Sequence, residues 1–376
     1  MSGDTPVPWA ATHLDRRKAT VLDVLHDSIG CYATPPVSYL ELAARVPGFQ
    51  RKHLDDLYSS RQVVGLRTLR GSAFLMPVDL LAIVVPATRE RNERAFGSYV
   101  EKVLEVDDYD TWADRIEDLL SDGVARTVPE IKEALEPPEE DARGLNVVIN
   151  QMSTECRLVG TGEPRSWRSG RNAMTLWSTW LPDVDVWSPD PEEARAEVAN
   201  LYLRSHGPAT VEDLAWWAGF SKTQAEEAIA GCEAEDLGKG FFTVDGVASG
   251  KAPSLRLLPN WDALLVTWKD RSRFLTDEAA PFVYDRDGNA TSIVLDKGKI
   301  TGVWSLGSDD EHLEIRAAPF DRFTTSKWKA IQAEAERIGK LAGSKDVVVA
   351  RCEEPHSLVD GPRNLFLRPL RDHECE

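Results

Sequence analysis

No apolar run in this chain is long enough to cross a bilayer, so no transmembrane helix is expected. The opening "MSGDTPVPWAATHLDRRK" lacks the basic-then-apolar order of a secretory leader. Cysteine is scarce and scattered: Cys31, Cys156, Cys232, Cys352 and Cys375 form no CxxC pair and no Cys/His cluster. A zinc motif is therefore excluded and a disulfide framework is not expected. These absences point to the cytoplasm. The 7 histidines are dispersed, and GxSxG, HExxH and the phosphate-binding GxxxxGK motif are missing. Serine-esterase, zinc-peptidase and P-loop chemistry lose their usual signatures, and neither metal nor cofactor is expected. Positive charge is also short. Against 62 Asp and Glu stand 44 Lys and Arg, a net charge of -18. Broad, non-specific attraction to nucleic acid is thereby disfavoured, but a local basic face is not.

What is present is foldable. With 42% hydrophobic and 28% charged residues over 376 positions, two or three soluble domains are expected. One arrangement recurs three times. Ser38 with Glu41, Thr127 with Glu130 and Thr210 with Asp213 have the spacing of helix-capping boxes, and each cap is followed by an aliphatic residue, Leu42, Ile131 or Leu214. A second helical segment follows each: "RKHLDDLYSS", "GLNVVINQMSTE" and "SKTQAEEAIAGCEA". A hairpin-like piece follows in turn: "QVVGLRTLRGSAFLMP", "CRLVGTGEPRSWRSGRNAMTLWSTW" and "GKGFFTVDGVAS". Helix, helix, hairpin is the winged-helix order, and its repetition predicts three such domains. From about Leu255 the pattern changes to alternating strands with Asp-Gly, Gly-Asn and Lys-Gly turns, then one amphipathic helix over Thr325 to Gly343 and a last strand, "KDVVVARC". The expected fold is α+β: winged helices over 17–90, 91–183 and 190–252, a small β-barrel-like domain with one helix over 253–352, and a tail over 353–376.

Basic residues gather in three places. Arg51 and Lys52 open the second helix of the first unit, and Arg67 and Arg70 sit on its wing beside Gly71. The second wing carries Arg165, Arg168 and Arg171 around Trp167. Arg271 and Arg273 follow in "LPNWDALLVTWKDRSRFL", where Asp262 and Asp270 suit a structural ion pair. A guanidinium bonds two phosphate oxygens at once, so these arginines are candidate nucleic-acid contacts. The competing reading is that they neutralise the protein's own excess carboxylates. The third unit is acidic, with Glu226, Glu227, Glu233, Glu235 and Asp236, and its helices are expected to pack internally.

Four passages resemble the AlkZ/YcaQ-like winged-helix DNA glycosylases. They are "YLELAARVPGFQRKHLDDLYSSRQVVGLRTLRGSAFLMP", "LYLRSHGPATVEDLAWWAGFSKTQAEEAI", "RLLPNWDALLVTWKDRSRFL", and "TGVWSL" with the "PF" and helix after it. The resemblance implies three tandem winged helices and a barrel around a channel for double-stranded, possibly alkylated DNA, in a protein expected to be a monomer. It also implies release of N7-alkylguanines, including crosslinked ones, by a positioned water. Such a base is cationic and leaves readily, so the protein's work is electrostatic placement.

In that family a Gln-x-Gln or Gln-x-Asp pair shortly precedes the "YLELAAR"-like segment. Here the same place reads "GCYATPPVSYLELAAR", which puts Tyr32 and Thr34 at the two polar positions. Both hydroxyls can orient a water or donate to a phosphate, but neither is a good general base. Tyr32 and Thr34 are thus candidate catalytic or lesion-facing residues of a monofunctional glycosylase. The other readings are a catalytically inactive, regulatory or lesion-sensing DNA binder, and a channel turned over to a small molecule or protein.

Overall fold

The computed structural model describes residues 7–16, 19–103, 106–138, 144–162, 173–247, 250–308, 312–360 and 370. Among them the order helix, short strand, helix, helix, strand, strand occurs three times. The first set is Val21–Asp27, Cys31–Tyr32, Val37–Arg45, Arg51–Ser59, Val63–Arg67 and Ala73–Pro77. The second is Val106–Leu120, Arg126–Thr127, Val128–Leu135, Gly144–Thr154, Leu158–Gly160 and Ala173–Leu176. The third is Pro191–His206, Ala209–Thr210, Val211–Ala218, Lys222–Gly231, Glu235–Gly238 and Phe241–Thr243. In each set the last strand pairs antiparallel with both of the others.

Local chemistry starts most of these helices. Thr127 with Glu130, Thr210 with Asp213 and Ser221 with Gln224 form reciprocal capping boxes. The expected Ser38–Glu41 box does not form. Pro36 already stands at the N-cap and the helix starts at Val37, so Ser38 and Glu41 lie inside it and are buried. The first unit instead carries a capping box of Thr20 with Asp23, one helix earlier.

The units are stitched together closely. Gly65 pairs with Gly160, merging the first two sheets into one of six strands. A Cβ at Gly160 would stand 3.0 Å from the Gly65 carbonyl oxygen, tighter than most Cβ contacts, so a larger residue there would push the two strands apart by a few tenths of an ångström. Helix Leu81–Val103 runs through position 90 and packs on both Gly144–Thr154 and Pro191–His206. The second unit keeps a core of its own, around Ile116, Ile131 and Met152. The first unit instead shares a core with the C-terminal sheet through Tyr39, Leu42, Trp304 and Ile338.

That sheet has five strands in the order Arg256–Leu258, Ile293–Asp296, Lys299–Ser308, His312–Pro319, Asp346–Arg351. The last strand joins in parallel, after the crossover helix Thr325–Ala342. Among the described residues the sheet is open, in contrast to the expected barrel. The helix packs across both edge strands, Arg256–Leu258 and Asp346–Arg351, and covers the gap that closure would have filled. Cys31, Cys156 and Cys232 are free thiols, whereas Cys352 is disulfide-bonded, a bridge the scattered spacing did not lead one to expect.

Candidate nucleic-acid interface

Tyr32 ends the short strand of the first unit, where it pairs with Phe74 of the hairpin. Its ring lies 4.8 Å from that of Phe74 and stacks at 5.8 Å on Trp261, from the segment that enters the C-terminal sheet. Its hydroxyl accepts a hydrogen bond of 2.8 Å from Arg70 Nη2. Arg70 sits at the tip of the hairpin between Val63–Arg67 and Ala73–Pro77, with a left-handed backbone (φ 53) that Gly71 continues (φ 71). A left-handed backbone is uncommon for arginine and is held here by the tight turn at the hairpin tip.

The Arg70 guanidinium lies 4.9 Å from the ring centre of Trp216, on helix Val211–Ala218 of the third unit. Arg271 reaches the same indole, 5.5 Å away, and lies 3.5 Å from the ring of Tyr284. Arg91, on helix Leu81–Val103, completes the group. A Cβ placed on Gly219 would come within 3.1 Å of both Arg70 Cγ and Arg91 Cζ. Burial holds Arg91 and Arg271 below the ordinary arginine range, and the charge of Arg70 pushes both further down. The first and third units and the C-terminal segment thus converge on one cationic, aromatic-walled surface.

The other candidate residues lie as follows. Thr34 is exposed, two residues along the chain from Tyr32. Arg67 turns inward, donating to the Gly71 carbonyl and to Asn150 Oδ1 with its guanidinium over Phe96. Arg51 and Lys52 are exposed on a separate cleft of about 520 Å³ that also receives Arg337 and Lys340, and Lys52 pairs with Asp56. Arg165, Arg168 and Arg171 lie outside the described residues. Arg273 was expected to face nucleic acid but is shut away from solvent, where it meets Asp213 at 3.5 Å and lies over Trp268. A buried, ion-paired guanidinium cannot approach a phosphate, so that assignment is withdrawn.

Asp262 forms a bidentate ion pair with Arg45 of the first unit, not with the arginines near it in sequence. Asp270 accepts a hydrogen bond from the Ser272 amide. Arg91, Trp216, Trp261 and Tyr284 were not singled out as site residues. Arg91 lies in the charged run "RERNER", which reads as a solvated helix face, and Trp216 is half of a "WW" pair whose other member, Trp217, is core.

This arrangement can bind an acceptor-rich, anionic group, since what it presents is mainly N–H and O–H donors on aromatic supports. Comparison with known proteins agrees with a role at DNA. In the solved structure of Streptomyces sahachiroi DNA glycosylase AlkZ, the fold matches over 91% of this chain and 99% of that one, with a TM-score of 0.67 at 19% identity. A curated relative from the same organism, an interstrand DNA cross-link repair glycosylase, is 24% identical over 169 residues. That match covers 41% of this chain and 44% of the relative, so the chain spans less than half of that protein's length. The family model described as DNA glycosylase AlkZ-like matches residues 25–341. Spanning most of the sequence, that match places the chain in the AlkZ-like DNA glycosylase family.

Proposed function

We propose that the protein binds duplex DNA containing alkylated purines, with the face carrying Tyr32 and Arg70 set against the DNA, and does so without efficiently breaking the N-glycosidic bond of the lesion. The hydrogen bond from Arg70 to the Tyr32 hydroxyl carries this reading. In the position where the family has its amide or carboxylate pair, the side chain is already engaged as an acceptor. An attacking water would find no strong base there, and positive charge growing on the sugar would face a guanidinium. The threefold helix–strand–helix–helix–strand–strand order supports the reading of three winged-helix domains, with helix Leu81–Val103 spanning the expected boundary at 90 between the first two.

A second reading is slow hydrolysis of N7-alkylguanine or crosslinked adducts by a water held between Tyr32 and Thr34. Family membership and the exposure of Thr34 favour it. One experiment separates the two. Duplexes that are undamaged, abasic or N7-alkylated are assayed for binding and for free-base release. Tight binding without release is the expected result. Release that is lost in Tyr32→Phe or Thr34→Ala would replace it with the enzymatic reading, and no duplex binding at low salt would remove both.

A further inference from the structure

We infer that Arg70, Arg91 and Arg271 form a receptor for a single phosphate group of the DNA backbone, so that the surface beside Tyr32 seats an anion and not the cationic base. The inference rests on the DNA-binding reading above and adds the chemical class of what occupies this surface.

The first observation is charge economy. Several arginines elsewhere in this acidic protein are met by carboxylates, Arg16 by Glu334, Arg45 by Asp262, Arg126 by Asp122, Arg157 by Glu117 and Arg273 by Asp213, while Arg61, Arg67, Arg115 and Arg286 donate to carbonyl or amide oxygens. Among the described residues no carboxylate stands within ion-pairing distance of Arg70, Arg91 or Arg271. Their hydrogen-bond partners are the Tyr32 hydroxyl, Asn92 Oδ1 and the Gly288 carbonyl. The acid that acts on Arg271 from further off, Asp285, is occupied by the Asp287 amide and by both nitrogens of Asn289.

The second observation is mutual repulsion. Arg70 acts on both of the others as a like charge, so the group is held together against its own electrostatics. Trp216 and Tyr284 hold two of the guanidiniums by their faces, which leaves edge N–H groups free to donate. Because the Tyr32 oxygen already accepts from Arg70, its proton remains available to a ligand oxygen. A site so rich in donors and positive charge matches phosphate and repels an N7-alkylated, cationic purine.

The test uses Arg91→Ala, an exposed position, beside Arg70→Ala, Arg91→Lys and the control Arg94→Ala on the same helix. Duplex affinity is measured against salt, and inorganic phosphate is titrated calorimetrically into wild type and Arg91→Ala. Each Ala variant at 70 or 91 is expected to flatten the slope of log K against log salt by about 1, with a roughly 3- to 10-fold loss at low salt. Arg91→Lys should keep the slope, and Arg94→Ala should match wild type. Wild type that binds duplex with an unchanged slope in both Ala variants overturns the receptor alone. No duplex binding, but phosphate binding that Arg91→Ala abolishes, upholds the receptor for a small phosphate ligand and defeats the DNA reading. Binding of neither overturns both.

Discussion

Arg45 and Asp262, 217 residues apart in sequence, meet in a bidentate ion pair at 2.7 and 2.6 Å that is almost wholly enclosed. The pair fastens the first unit to the segment carrying Trp261, which stacks on Tyr32. Asp262 also caps its own short helix through the Leu264 amide. Removing one member of an enclosed pair strands the other charge, which costs about 3–5 kcal/mol. Asp262→Asn should therefore lower unfolding stability by about that amount in urea titration. Asp270→Asn, which disturbs one turn, should cost about 1 kcal/mol or less. Equal effects at the two positions would contradict this assignment of the enclosed pair.

Two buried groups predict how stability varies with pH. Burial and the neighbouring Asp262 charge push the Glu41 carboxyl up to about 8, against the pull of Arg45. Its folded form favours the neutral acid, so its contribution is complete below the ordinary carboxylate range and is lost as pH rises through about 8. Burial among Tyr202, Trp217 and Trp268 pulls His206 down to about 3. Its contribution is complete above the ordinary histidine range and is lost as pH falls toward 3. Stability should therefore decline on both sides of mildly acidic pH, each group adding at most about 1.4 kcal/mol per pH unit. Denaturation at a series of pH values should show Glu41→Gln losing the alkaline decline and keeping the acid one. An alkaline limb unchanged in that variant would reject the assignment.

These relationships also explain what the sequence could reveal. A capping box is closed within four residues, so Thr127–Glu130 and Thr210–Asp213 were readable from spacing alone. Ser38–Glu41 has the same spacing and fails, because Pro35-Pro36 starts the helix earlier and Glu41 turns toward Arg45 and Asp262. Arg271 and Arg273 are two residues apart and look alike in sequence. Asp213, 60 residues before Arg273, decides which of them is buried. The strands of the C-terminal sheet were visible in their alternation, but its openness depends on where the crossover helix lies. Periodicity carries local structure, whereas charge pairing across units leaves no mark on spacing.

Tyr32→Phe keeps both ring contacts and removes one hydrogen bond, so stability should fall by about 1 kcal/mol or less. Arg70 loses its acceptor and keeps its place over Trp216. Duplex affinity should therefore drop by no more than about fivefold, in keeping with the loss of one hydrogen bond. Thr34→Ala should leave affinity within about twofold of wild type, since roughly 0.4 kcal/mol is within the usual scatter for an exposed side chain. Fluorescence anisotropy with an N7-alkylated duplex measures both. A loss beyond a hundredfold in Tyr32→Phe would mean that the tyrosine itself, and not the arginines, dominates binding.

Gly219 separates backbone effects from site effects. It ends helix Val211–Ala218 with φ 77, as Gly343 ends helix Thr325–Ala342 with φ 72. Alanine in a left-handed C-cap costs about 1 kcal/mol at either place. The surroundings differ. A Cβ at 343 meets nothing within 4 Å, whereas one at 219 meets Arg70 and Arg91 at 3.1 Å. Gly219→Ala should thus lose at least as much stability as Gly343→Ala in thermal denaturation, since its Cβ also stands 3.2 Å from the Arg70 backbone. Only the first should weaken duplex binding, by roughly 3- to 10-fold, because displacing one or two phosphate-facing guanidiniums removes part of the electrostatic term. If both variants bind duplex as wild type does, the guanidiniums beside Gly219 make no contact with DNA, whatever their charge.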